Sequence, residues 1–130
     1  MFRLVSLEKD NKYKKLVTQH LGSNYPIKDG ILLKKDNKIV GYALYKTLPK
    51  NKIMLDWIWA PGYGVYLFKK LENKWKKTYT SIVLKVSLDP NEQKMAVIRR
   101  LNFWYKMKFQ TKNVKYRPKY GPLLTMEKKF

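Results

Sequence analysis

Residues Lys52–Lys77, KIMLDWIWAPGYGVYLFKKLENKWKK, read as an apolar strand, a Pro-Gly-x-Gly turn and an amphipathic helix. Ile53, Leu55, Trp57 and Trp59 share one face of the strand, and Met54, Asp56 and Ile58 share the other. A strand apolar on both faces belongs inside a sheet, covered above and below. Pro61 and Gly62 end it, because proline cannot donate to the ladder and glycine tolerates a tight turn. In the helix, Leu67, Phe68, Leu71 and Trp75 recur at helical spacing, while Lys69, Lys70, Lys74, Lys76 and Lys77 face away. A glycine-bearing turn that opens a helix leaves backbone N–H groups free at the positive end of the helix dipole. Such a group of amides suits a phosphate or pyrophosphate. The stretch lacks the third glycine and acidic residue of a dinucleotide fingerprint, and the Gly-Lys-Ser/Thr of a P-loop. On its own it fits a plain strand–turn–helix corner equally well.

The rest of the chain surrounds this stretch with strands. Before it, Phe2–Leu7 has strand-type residues, and Lys9–Leu21 carries a helical stripe of Tyr13, Leu16, Val17, His20 and Leu21. His20 on that stripe reads as a packed, hydrogen-bonded residue. Gly22-Ser23-Asn24 ends the helix, and Ile31–Lys35 with Lys38–Thr47 forms a hairpin around Asp36-Asn37. After it, Ser81–Val86 is a strand and Asp89-Pro90 a break. Asn91–Met107 reads as a long helix, with Met95, Ile98, Leu101 and Tyr105 on one side and Arg99, Arg100 and Lys106 solvated. Phe109–Lys115 and Pro122–Lys128 are the last strands, joined by the aromatic and basic loop Tyr116–Gly121. The order is β-α-β-β-β-α-β-α-β-β. It predicts an α/β fold, a single domain over residues 1–130, with a mixed sheet of six to seven strands and helices on both faces.

Composition limits the chemistry. With 45% hydrophobic and 15% aromatic residues the chain can build a core. It has no cysteine, which excludes disulfides, thiolate zinc sites and a cysteine nucleophile. A single histidine argues against a histidine-based metal site, so no metal is expected. There is no apolar run of about 18 residues and no signal-peptide pattern, so no membrane span is expected and a soluble, intracellular protein is. The net charge of +20 attracts polyanions: nucleic acid, anionic surfaces or a phosphorylated cofactor. The arginines are only Arg3, Arg99, Arg100 and Arg117, so the field is diffuse and suits non-specific contact more than base readout. A genomic bias toward Lys, Asn, Ile and Tyr accounts for the same lysine excess without a ligand.

Four places together resemble the GCN5-related N-acetyltransferase (GNAT) superfamily across almost the whole chain. They are Lys38-Ile39-Val40-Gly41-Tyr42-Ala43, like the family's x-ϕ-V-G-ϕ-A strand, and Ala60-Pro61-Gly62-Tyr63-Gly64, like its pyrophosphate loop. The others are Phe103-Trp104-Tyr105-Lys106-Met107-Lys108-Phe109, like its Leu-Tyr-Glu-Lys-Leu-Gly-Phe helix end, and the terminal strand Leu123–Lys128. Trp59 stands where the loop pattern has Gln or Arg, Trp104 where the family has tyrosine, and Lys108 where it has glycine.

The resemblance implies the acyl-CoA N-acyltransferase fold, acetyl-CoA as co-substrate and an amine acceptor attacking the thioester directly. Acetyl-CoA would lie between Lys52–Trp59 and Ser81–Ser87. Its pantetheine would meet the backbone of Trp57, Ile58 and Trp59, and its pyrophosphate the amides of Gly62, Tyr63, Gly64, Val65 and Tyr66. A backbone N–H near Trp57 or Ile58 would polarise the carbonyl. Asp56, with apolar neighbours that would raise its pKa, is the candidate base, and Tyr105 the candidate acid. Tyr116–Tyr120, with Tyr25 and Pro26, would line the acceptor side. The lysine-rich, arginine-poor composition also resembles acetyltransferase-like proteins of large DNA viruses. The alternative is a non-catalytic acetyltransferase-like basic module that binds nucleic acid or serves a structural role in a particle.

Overall fold

The computed structural model describes residues 1–6, 12–22 and 29–130. Leu7, the start of the helix expected from Lys9, and Tyr25 and Pro26 lie outside the described residues. The elements are β1 (Phe2–Ser6), α1 (Lys12–Leu21), β2 (Asp29–Lys35), β3 (Lys38–Leu48), β4 (Lys52–Trp59), α2 (Gly64–Trp75), β5 (Ser81–Ser87), α3 (Lys94–Lys106), β6 (Gln110–Arg117) and β7 (Gly121–Lys129). The seven strands form a mixed sheet in the order β1-β2-β3-β4-β5-β7-β6, the α/β arrangement expected. Two compact units divide the chain: Met1–Thr47 with Leu55–Lys77, and Leu48–Met54 with Thr78–Phe130.

In the first unit, β1 and β3 flank β2, both antiparallel to it. Alternation sorts the side chains of β2 and β3. Leu32, Tyr42 and Leu44 pack with Tyr13 and Val17 of α1. Tyr45, of opposite parity to Tyr42 and Leu44, meets Trp75 of α2 at 5.3 Å between ring centroids, so the two helices cover opposite faces. The stripe Leu67, Phe68, Leu71 and Trp75 is buried, as its spacing requires. Burying four such side chains stabilises the unit by about 1.5–3 kcal/mol each. The hairpin turn is Asp36-Asn37, with Asp36 in the left-handed region (φ 57) that Asp tolerates better than most residues.

In the second unit, β7 pairs antiparallel with both β5 and β6. Ile82, Val83, Leu84 and Val86 of β5 are buried on both faces, as expected of an interior strand. Lys52 at the start of β4 pairs with Glu127 at 3.0 Å, and Asn51 accepts the Thr80 N–H at 2.9 Å. The break at Asp89-Pro90 is longer than expected. Asp89 accepts the Asn91 N–H through its side chain and the Glu92 N–H through its carbonyl, so α3 starts at Lys94 rather than Asn91.

Two further expectations are corrected here. On α3, Met95, Ile98 and Tyr105 are exposed, Leu101 is half-buried, and Trp104 is the buried residue. The helix is therefore turned from the side the spacing suggested. The loop Tyr116–Gly121 shrinks to Pro118–Tyr120, because Tyr116 and Arg117 extend β6 and Gly121 begins β7. Arg117 fixes that turn through bonds from its guanidinium to the carbonyls of Tyr120 and Gly121 and to Ser87 Oγ.

Candidate functional site

The turn after β4 is built as its sequence dictates. Tyr63 donates its N–H to the Ala60 carbonyl at 2.8 Å, with Pro61 and Gly62 as the central residues and Gly62 at φ 79. Proline then glycine with positive φ is the type II turn, which an ordinary residue at Gly62 would strain. The first helical bond of α2 runs from Leu67 N–H to the Tyr63 carbonyl at 2.8 Å. Tyr63 offers no side-chain cap. The amides of Gly64, Val65 and Tyr66 thus have no acceptor within the helix, at its positive end. A Cβ placed on Gly62 would meet nothing within 4 Å, so the turn is open on that side. Three unpaired donors in one helical turn suit a pyrophosphate oxygen.

What holds the turn in place is Gly41 of β3. A Cβ there would come within 2.7 Å of Ala60 Cβ and 2.9 Å of the Trp59 carbonyl oxygen. Only glycine lets β3 approach the end of β4 this closely. The V-G-ϕ-A pattern and the turn are therefore one device.

Behind the strand lies an aromatic network. Trp57 donates its indole N–H to Tyr42 Oη at 3.1 Å, and Tyr42 Oη lies 2.7 Å from His20 Nδ1. An indole only donates, so the hydroxyl accepts from Trp57 and can donate its own hydrogen bond to His20 Nδ1. Trp59 packs on His20 and Tyr42 at 4.7 and 5.7 Å between centroids. His20 is the packed, hydrogen-bonded residue its position on the stripe suggested. Trp57 is still 36% exposed, so the network orients an indole that reaches the surface.

Asp56 is exposed, and the apolar shielding expected around it is missing. Among the described residues it makes no ion pair with a lysine or arginine. Ile58 and Trp59 are half-buried, and Val65 is exposed in the first turn of α2. Tyr105 lies in the second unit, 46% exposed, its hydroxyl 2.9 Å from Thr111 Oγ1. Among the described residues no group of three or more His, Asp or Glu side chains could hold a metal, and no helix is long and apolar enough to cross a membrane.

A further cluster on the first unit escaped the sequence reading. Phe2 of β1 meets Tyr63 and Tyr66 at 5.4 and 4.5 Å between centroids. The Lys35 ammonium lies over Phe2 and Tyr63 at 5.6 and 5.8 Å, and that of Lys70 over Tyr66 at 5.5 Å. Its members come from β1, β2 and α2, so no single stretch of sequence displays it.

No family model matches this sequence. The chain is 37% identical over 101 residues, 76% of its length, to an uncharacterized N-acetyltransferase of Acanthamoeba polyphaga mimivirus, of which it spans 23%. A solved Desulfovibrio desulfuricans structure assigned to the GNAT family of acetyltransferases superposes with a TM-score of 0.73 at 17% identity, over 99% of each chain. A GNAT family acetyltransferase from Elizabethkingia anophelis with acetyl-CoA bound gives 0.71 at 14% identity, over 99% of this chain and 98% of that one.

Proposed function

Because the chain has the fold of the GNAT acetyltransferases, we propose that it is an acetyl-CoA-dependent N-acetyltransferase acting by direct attack of an amine. The observation that carries this is the turn after β4, where Gly64, Val65 and Tyr66 present amides without an intrahelical acceptor beside the open side of Gly62. Those amides, with that of Gly62, would hold the pyrophosphate, and the backbone of Trp57, Ile58 and Trp59 the pantetheine; Tyr63, expected among the pyrophosphate donors, has its N–H engaged by the Ala60 carbonyl instead. Bound acetyl-CoA supplies an acetyl group activated as a thioester.

The amine nitrogen bonds to the acetyl carbon as the carbon–sulfur bond breaks. Asp56, exposed and without an ion pair among the described residues, takes the amine proton through water. Tyr105, exposed and hydrogen-bonded to Thr111, returns a proton to the departing thiolate. The net charge of +20 disfavours polyamines and histone tails. A small or acidic acceptor, or a protein N-terminus, suits it better.

A second reading, a non-catalytic basic module on nucleic acid, is favoured by the exposed Tyr116 and Tyr120. Arg117 and Lys119 each lie 5.7 Å from the Tyr120 ring. Thermal unfolding at roughly 150 mM salt separates the two. Acetyl-CoA at about 100 times its Kd should add about 2.7 kcal/mol of stability, with ATP and short DNA adding less. Thiol release on addition of amines then identifies the acceptor. Equal stabilisation by every polyanion would overturn the acetyltransferase reading.

A further inference from the structure

We propose that Phe2, Tyr63 and Tyr66, with the ammonium groups of Lys35 and Lys70, form a subsite for a phosphorylated purine nucleoside: the 3′-phosphoadenosine end of CoA. This rests on the acyl-CoA reading above and adds which residues recognise the nucleotide end. Trp59 stands where the resembling pattern has Gln or Arg, and Ala60–Gly64 itself carries no cation. Two lysines stand near it, on β2 and α2. Lys35 is held over Phe2 and Tyr63, and Lys70 over Tyr66. Cation–π contact fixes both ammonium groups without neutralising them.

Neither lysine is in an ion pair with a described carboxylate. The acid beside Lys35 in sequence, Asp36, is engaged instead by the Met1 amino group at 2.8 Å. A phosphate monoester therefore meets two preplaced positive charges with no described acid to displace. The strand register brings Phe2 opposite Lys35, so the ring and the charge come as a pair. Beside them a cavity of about 250 Å³ is lined by Phe2, Arg3, Leu4, Leu33 and Lys70, so it shares Phe2 and Lys70 with the cluster. A purine ring suits the half-buried aromatics and a phosphate dianion suits the lysines.

Calorimetric titration of the full chain with CoA and with dephospho-CoA, at roughly 150 mM salt, tests this. CoA should bind about tenfold more tightly. The double variant Lys35→Gln/Lys70→Gln should bind both alike. The charge-matched control Lys14→Gln/Lys15→Gln, on exposed α1 positions, should keep the preference. Equal affinity for both ligands in the unaltered protein would overturn the subsite and leave acyl-CoA binding intact. So would a preference that survives Lys35→Gln/Lys70→Gln, or one lost equally in the control. Failure to bind either ligand would overturn the acyl-CoA reading itself. A melting temperature unchanged by each double substitution identifies affinity, not folding, as the altered quantity.

Discussion

The entry to α2 and the exit from α3 solve the same backbone problem with different residues. At the entry, Gly62 takes φ 79; at the exit, Lys108 takes φ 74. The exit is a Schellman motif. Phe109 N–H bonds to the Trp104 carbonyl and Lys108 N–H to the Tyr105 carbonyl, both at 3.0 Å. The rings of Trp104 and Phe109 pack across it at 5.3 Å. A left-handed L-residue costs about 1–2 kcal/mol. The exit carries that cost because two hydrogen bonds and a buried aromatic pair hold it. The entry has one turn bond, no side-chain cap and an open side at Gly62. Glycine stands where one hydrogen bond closes the turn and β3 braces only its start, and a lysine is tolerated where two bonds and a ring pair hold the left-handed residue itself.

The largest test of this contrast is Gly41→Ala. Its Cβ would press on Ala60 and on the Trp59 carbonyl, and overpacking of this kind costs about 1–3 kcal/mol. Chemical denaturation should show that loss, with weaker acetyl-CoA binding because the turn is displaced. A loss under about 0.5 kcal/mol would mean β3 does not hold the turn.

Next is the reciprocal pair. Gly62→Ala should destabilise by about 1–2 kcal/mol from φ alone, since no atom opposes the new Cβ. Lys108→Gly should stabilise by about 0.5–1 kcal/mol, the relief from strain being partly offset by glycine's larger entropy loss. If both substitutions destabilise, Lys108 contributes something beyond conformation.

The smallest effect is electrostatic. The Met1 amino group holds the Asp36 carboxyl below its ordinary value, by hydrogen bond and charge. A depressed folded pKa gives stability that is present above the ordinary aspartate value and is lost as pH falls through the folded one, below about pH 4. Asp36 is fully exposed, so solvent screens the pair. Asp36→Asn should leave melting at pH 7 almost unchanged and flatten only the acid limb. A large change at pH 7 would show the hairpin turn depends on that carboxylate.

Much of the fold was legible because punctuation and periodicity agreed. The α2 stripe, the Asp36-Asn37 turn and the Pro61-Gly62 turn each have one low-energy reading. The orientation of α3 was not legible. Met95, Val97, Ile98, Leu101, Phe103, Trp104 and Tyr105 leave it almost no polar face, and periodicity defines an inward side only when polar residues mark the outward one. The exposure of Asp56 escaped notice because alternation says which residues share a face, not whether anything covers it. The Trp57–Tyr42–His20 network and the Phe2–Lys35–Tyr63–Tyr66–Lys70 cluster join distant segments, and distance along the chain conceals both.

The strand order of the second unit sets a schedule for synthesis. β7 is the shared neighbour of β5 and β6, and Glu127, the partner of Lys52, leaves the ribosome 75 residues after it. Chains lengthen at roughly 5–20 residues per second, so β5 emerges seconds before the strand that joins it to β6. Until β7 follows, the backbone N–H and C=O groups on that edge of β5 have no strand to pair with. The nascent chain is then most exposed to wrong pairing, and a ribosome pause before Gly121 should lower the soluble yield without altering the finished protein.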